Sequence, residues 1–440
     1  MYLKLCHATL YQRREEVPMG GVDRDRAGAI TQALEERLSE RVDVEPQVDR
    51  RAVLGGLSIA GAAGGLMGLA GADEGHDGGS HGSSHGNFGA RGEFDGDTLD
   101  PHEFLRTFNT GTEGQDDLSQ EVYQEDGRTI RHYTIVAQDV EIEIAPGVTF
   151  PAWTFQGQVP APTLRAVEGD LVRIDFVNGS QHAHTMHPHL ENHQPEMDGV
   201  PQNGTGLVDV GESFRYEWIA QPAGVHFYHC HALPLKEHMH RGMYGALIVD
   251  PDPERVREHP REYVNYHGPI DETYTDELVQ RARSRNHTYD ENDDVQELVM
   301  VMNSFDTNFD GENEVYAANT RAFAYAPAST DADDGDYTPG ETKHPIEIDR
   351  DRPVRIHLLN TTEFDPINSL HTHSQFFDYY DHGTTLFPTH KRIDTIMQCQ
   401  AQRGILELDY SEHEEGLYMF HAHQSEFSEL GWMSFFEVVE

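Results

Sequence analysis

Residues 224–251 read GVHFYHCHALPLKEHMHRGMYGALIVDP, with Cys230 enclosed between His229 and His231. Residues 416–440, GLYMFHAHQSEFSELGWMSFFEVVE, repeat the frame with Ala422 in place of the cysteine. Successive side chains of a strand point to opposite faces. In His229-Cys230-His231 the two imidazoles therefore point one way and the thiol the other. Two metal sites then lie back to back, joined through one short stretch of backbone, and the second copy keeps only one of them.

Three further anchors align the halves. GDLVRIDFVN (169–178) matches RPVRIHLLN (352–360), HTMHPH (184–189) matches NSLHTH (368–373), and RGMYGALIVD (241–250) matches LGWMSFFEVV (430–439). A repeat of this length indicates a duplicated domain rather than a solenoid. The runs TIRHYTIVAQDVEIEI, TLRAVEGDLVRIDFVN and ESFRYEWIA alternate apolar and polar residues between Gly, Pro, Asn and Asp. The pattern predicts an all-β chain with two antiparallel β-sandwich domains in tandem, over 101–252 and 296–440. A charged, helical connector spans 253–295 between them.

The 440 residues carry 77 acidic and 32 basic side chains, a formal charge of −45. That balance opposes nucleic acid and anionic membrane surfaces and matches the acidic surface of salt-adapted proteins. Cys6, Cys230 and Cys399 are the only cysteines, too few for a disulfide framework. Cys399 belongs to no ligand pair and is expected to be a buried apolar residue. Residues 1–72 read as an N-terminal extension with Arg50-Arg51 before an apolar, Gly-rich stretch. This resembles a twin-arginine export signal, with Met19 as an alternative start. Residues 73–100 form a Gly/Ser/His linker. The expected location is extracellular or at the cell surface, with membrane contact at most through an uncleaved N-terminal segment.

The thiol side of Cys230 needs partners. Two histidines, one cysteine and a weak axial methionine form a blue copper centre. His184, His238 and Met243 complete that set, with His240 as the alternative to His238. On the opposite face four H-x-H pairs appear: His187/His189, His229/His231, His371/His373 and His421/His423. Eight histidines exceed the needs of one ion and suit a cluster of three, whereas structural zinc takes four ligands and favours cysteine. His182, His193 and His226 read as supporting or surface residues. DTNFDG (306–311) imitates the start of a calcium loop, but Ala317 stands where the twelfth-position glutamate belongs, so it reads as a turn.

On these motifs the chain resembles a two-domain multicopper oxidase of the laccase-like kind, related to copper nitrite reductase. WTFQGQVPAPTLRAVEGDLVRIDFVN, HTMHPH and YHCH carry the likeness. Pro188 between the first ligand histidines and the Cys230-to-His238 spacing depart from the common pattern. The resemblance implies cupredoxin-like Greek-key topology in both sandwiches and four coppers per chain, one type 1, one type 2 and two type 3. His187 and His371 would hold type 2, and His189, His229, His231, His373, His421 and His423 the type 3 pair. It also implies a homotrimer and an oxidase that couples one-electron oxidation of a small reducing substrate, phenolic, aromatic or a metal ion, to reduction of dioxygen to water. Asp198 falls where relatives keep a proton-relaying aspartate, and Glu426 is a second candidate acid. Copper nitrite reductase is the alternative, weakened because His231 and His187 stand where that class has no histidine and an aspartate. An electron carrier or copper-storage protein would need no H-x-H pairs. In the second half Asn368, Ala422 and Ser428 read as replacements for His184, Cys230 and His238, with Met433 retained opposite Met243.

Overall fold

The computed structural model describes residues 120–440 apart from 146–147, 204–205, 321 and 323–344. The N-terminal extension, its arginine pair and the linker lie outside the described residues. Among these residues no helix is long and apolar enough to cross a membrane.

The first sandwich pairs two sheets. One runs Gln120–Glu125, Arg128–Ala145, Leu171–Asn178 and Ser213–Ile219, with Val148–Phe155 also on Arg128–Ala145. The other runs Ala161–Val167, Tyr244–Asp250, Gly224–His229 and His187–Pro188. The alternation read in LVRIDFVN is real: every second residue is buried, as a strand with one face on a core requires. That core gathers Ile135, Phe155, Ile174, Phe176, Tyr216, Trp218, Tyr228 and Cys230.

The second sandwich repeats the plan. Gln296–Phe305 pairs in parallel with Val354–Asn360, as Arg128–Ala145 does with Leu171–Asn178. Ile346–Asp349 pairs in parallel with Met433–Val439, as Ala161–Val167 does with Tyr244–Asp250. These pairs depart from the all-antiparallel expectation, because alternation along a strand carries no sign of its neighbour's direction. Parallel pairs demand crossover connections, and their recurrence in both halves marks the duplication. The chain is two cupredoxin-like sandwiches in tandem.

A third apolar cluster, including Phe227, Tyr244, Val299, Val301, Tyr380 and Ile405, joins the sandwiches. Beside it Arg165 is clamped between Asp250 (2.9 Å) and Glu297 (2.8 Å), all three buried. The connector holds helices at Pro253–Glu258 and Glu272–Arg285, and packs Val256, Tyr263, Leu278 and Ala282 against Ala223 and Leu386. DTNFDG is a turn, in which the Asp306 carboxylate accepts N–H bonds from Asp310 (3.1 Å) and Gly311 (2.7 Å).

Cys399 is exposed, against expectation. It lies opposite Ile367 in the pairing of Thr395–Cys399 with Ile367–Thr372. The two-residue period of the strand puts it on the outward face with Met397, while Gln398 between them is the buried residue.

Candidate metal centre

Strand Gly224–His229 delivers the His-Cys-His segment, and the backbone alternation separates its side chains as read. The Cys230 thiol turns into the core, fully buried. Its Sγ lies 3.2 Å from His238 Nδ1 and 3.8 Å from His184 Nδ1, and those two nitrogens are 3.2 Å apart. His238 comes from the short helix Leu235–His240. His240, on the same helix, is directed elsewhere: its Nε2 accepts the Asp306 N–H at 2.9 Å. Of the two, His238 is the one the structure brings to Cys230. Met243 is buried in the same core, and its carbonyl accepts the Cys230 N–H at 3.0 Å. Ser180 Oγ is 2.7 Å from His184 Nε2, which aims the other ring nitrogen at the sulfur. Thr185 donates its N–H to Sγ at 3.4 Å and accepts the His231 N–H on its hydroxyl at 2.8 Å.

The other histidines form two quartets of nearly equal geometry. Around His187 the ring centroids of His189, His229 and His231 lie at 5.3, 5.2 and 5.3 Å. Around His371 those of His373, His421 and His423 lie at 5.0, 5.4 and 5.2 Å. His187 pairs with His229 across the sheet, and His371 with His421. Carbonyl oxygens only accept, so they fix the proton on Nδ1 of four rings. His187 donates to Asp198 O (2.8 Å), His229 to Cys230 O (2.8 Å), His371 to Asp394 O (2.9 Å) and His421 to Ala422 O (2.6 Å). Each of these rings keeps a free Nε2 lone pair. In both quartets two Nε2 atoms converge, His189 with His229 at 3.2 Å and His373 with His421 at 3.0 Å.

Electrostatics fit a metal. Burial, reinforced by neighbouring histidines, holds His184 at about 3 and His189 at about 2. Burial likewise takes His229 to about 3 and His238 to about 4. All four are neutral ligands at neutral pH. Burial pushes the Cys230 thiol up to about 11, so its thiolate needs a cation beside it. A soft sulfur between two imidazole nitrogens is a copper donor set.

Among the described residues no hydrogen bond, ion pair or ring contact joins the first quartet to the second. The second quartet lies on an outward sheet face. Ile367, Met397 and Leu417 share that face by strand register and are 36%, 58% and 46% exposed.

In the second sandwich the mononuclear set is gone, and two pairings differ from the sequence reading. The Ala422 N–H bonds to Trp432 O as that of Cys230 bonds to Met243 O, and the Trp432 N–H bonds to Phe427 O as that of Met243 bonds to His238 O. Trp432, not Met433, stands for Met243, and Phe427, not Ser428, stands for His238. Met433 pairs with His421 as Tyr244 pairs with His229. All four donors are replaced.

The Asp198 Oδ1 lies 3.0 Å from His187 Nδ1 and 2.7 Å from His193 Nε2. Burial would raise its carboxyl, but the His193 hydrogen bond and the adjacent imidazoles outweigh that and hold it below its ordinary value. Glu426, on the exposed side of helix Ser425–Glu429, makes no hydrogen bond or ion pair with the second quartet. His226 is buried, its Nδ1 and Nε2 lying 3.1 and 2.6 Å from the carbonyls of His189 and Pro222, of which the neutral ring donates to one. His182 packs at a tilt on Trp153 with centroids 4.1 Å apart. Sequence reasoning missed Ser180, Thr185, Asn203, Asp394 and Thr395, which touch the donors or Asp198 from loops and neighbouring strands with no motif of their own. A cavity of about 400 Å³ opens beside His238, lined by Trp153, His182, Leu207, Leu233, Pro234 and Glu237.

Fold and donor sets together define a tandem cupredoxin-type metalloprotein. Two family models described as multicopper oxidase match residues 136–254 and 306–440. The chain belongs to the multicopper oxidase family, and copper is the metal its donors serve. A crystal structure of a multicopper oxidase is 40% identical, with a TM-score of 0.59, covering 78% of this chain and 97% of the other. The blue copper oxidase of Nitrosomonas europaea shares the fold at 24% identity and a TM-score of 0.52, covering 70% and 86%. A multicopper oxidase of Cercospora beticola is 42% identical over 100 residues, 22% of this chain and 15% of that protein. A probable nitrite reductase-hydroxylamine oxidoreductase fusion protein of Kuenenia stuttgartiensis is 28% identical over 320 residues, 70% of this chain and 31% of that protein. The chain spans under a third of the length of these two curated relatives.

Proposed function

We propose that the protein is an oxidase that takes single electrons from a small reducing substrate and delivers them to dioxygen, forming water. The carrying observation is the His229-Cys230-His231 segment. Cys230 belongs to the buried mononuclear set while its two covalent neighbours belong to a quartet. Bound copper would supply the one-electron acceptor at Cys230 and the oxygen-reducing centre at the quartets. Four coppers per chain fit the donors: one on His184, Cys230, His238 and Met243, one between His187 and His371, and two on the remaining six histidines.

The chain's own residues then have distinct tasks. His238 reaches the cavity wall where a donor docks. Cys230 connects that site to His229 and His231 through its own backbone. Asp198 holds a carboxylate beside His187 Nδ1, where protons pass toward reduced oxygen. A cavity with Trp153, Leu207, Leu233 and Pro234 and the single carboxylate of Glu237 suits an aromatic reductant better than a divalent metal ion, which seeks several oxygen ligands. His187 and His231 within the quartet favour the oxidase over nitrite reductase.

Each quartet is half of a trinuclear site, and the two halves do not meet within one chain. We infer a homotrimer in which the first sandwich of one chain faces the second of the next. The exposed apolar residues around the second quartet support this. Salt adaptation and export by a twin-arginine-like route to the cell exterior belong to the same reading, on the strength of the sequence. Copper quantitation with absorption and EPR tests the proposal. It requires four coppers per chain, a blue band and a type 2 signal. One copper per chain with no type 2 signal would point to an electron carrier instead.

A further inference from the structure

The two histidines read as type 2 ligands are held by different chemistry. On the first half-site, His187 Nδ1 faces Asp198 twice, at the carbonyl oxygen (2.8 Å) and at Oδ1 (3.0 Å). That carboxylate is itself fixed on both oxygens, since His193 Nε2 lies 2.7 Å from Oδ1 and Asn203 Nδ2 donates to Oδ2 at 3.0 Å. The loop beneath it cannot drift. Trp218, fully buried, donates its indole N–H to Met197 O at 2.7 Å. Gly199 has φ +65°, and a Cβ there would meet Met186 O at 2.0 Å, so only glycine lets this loop pack against the strand that carries His187.

On the second half-site, His371 Nδ1 has two neutral acceptors, Asp394 O and Thr395 Oγ1, each at 2.9 Å. The Asp394 carboxylate stays 3.9 Å away with its side chain 47% exposed, and no histidine orients it among the described residues. Partners behind a ligating histidine fix its tautomer and orientation, and a carboxylate partner raises its basicity as well.

We propose that His193 is a positioning residue of the oxygen site. It holds the Asp198 carboxylate against His187 and makes the two type 2 ligands unequal, His187 the stronger donor and His371 the weaker. The proposal rests on the reading of the quartets as copper ligands. It adds a role for a histidine outside every H-x-H pair.

The test compares His193→Leu, which removes the N–H donor, with His193→Gln, which retains one, in copper-loaded full-length protein. Type 2 EPR and copper affinity are the readouts, with the blue band of the Cys230 centre as the folding control. His193→Leu should weaken type 2 copper binding by roughly 10–100-fold, the usual effect of removing such a partner, and alter its hyperfine pattern while the blue band persists. His193→Gln should restore most of both, and Asp394→Asn should keep the wild-type signal. A wild-type signal in His193→Leu overturns the proposal, as does equal damage in His193→Gln, which would reduce His193 to packing. Loss of the signal in Asp394→Asn overturns the asymmetry. A wild type with no type 2 signal overturns the copper reading itself, an outcome visible without any variant.

Discussion

Trp432 occupies in the second sandwich the position of Met243 in the first, its carbonyl accepting the Ala422 N–H at 3.2 Å. The indole is fully buried, and Phe427, standing for His238, stacks on Tyr316 with ring centroids 3.9 Å apart. The vacated metal site has become hydrophobic core. Ala422→Cys alone should therefore leave the blue absorption per chain unchanged, because Asn368, Phe427 and Trp432 offer neither imidazole nor thioether. A doubled blue band in that variant, read by absorption per mole of chain, would contradict the assignment.

Replacing Cys230 by serine should abolish the blue band and lower turnover by orders of magnitude. The type 2 EPR signal should remain, because the quartet histidines face away from the thiol. Turnover at the wild-type rate in Cys230→Ser would remove Cys230 from the electron route.

Acid should destabilise the copper-free protein. His184, His189, His226, His229, His238 and His240 are held by burial between about 2 and about 4, against an ordinary 6.5. Below 6.5 the unfolded chain binds protons that the folded one refuses. The stability these groups contribute is complete above that pH and is lost as pH falls from 6.5 through 4 toward 2, at up to about 1.4 kcal/mol per unit for each. Urea midpoints measured in molar salt should be lower at pH 5 than at pH 7.5. Equal midpoints would show that the histidines are not buried in the copper-free state.

Salt should stabilise. With a net charge of −45, self-repulsion acts over about 10 Å at 0.1 M salt and about 3 Å at 1 M. The melting temperature should rise between those conditions, and a flat profile by calorimetry would refute salt adaptation.

The legible parts of this molecule were those whose chemistry is local in sequence. LVRIDFVN showed its strand by alternation, and each H-x-H pair showed its shared face because both ligands sit two residues apart. Cys399 was misread because a lone cysteine carries no sign of which strand face it takes. Phe427 and Trp432 were misread because residue type outweighed spacing. Met433 is a methionine, yet RGMYGALIVD against LGWMSFFEVV already sets Trp432 opposite Met243, and the five-residue interval from His238 to Met243 then leads back to Phe427. His193, Asp394 and Thr395 act on the quartets only once loops fold back over them. Asp394 lies 23 residues beyond the histidine it holds, a distance that no local pattern spans.

The assembly of each oxygen site from two chains is the most exposed claim, and mixing two inactive variants tests it directly. His229→Ala damages the first quartet and His421→Ala the second. Reconstituted together with copper, mixed trimers should contain interfaces where an intact first sandwich of one chain meets an intact second sandwich of another. Oxidase activity should then return in the mixture while each variant alone stays inactive. A mixture as inactive as its components, with wild-type protein running as a monomer in light scattering, would show that each chain builds its site alone.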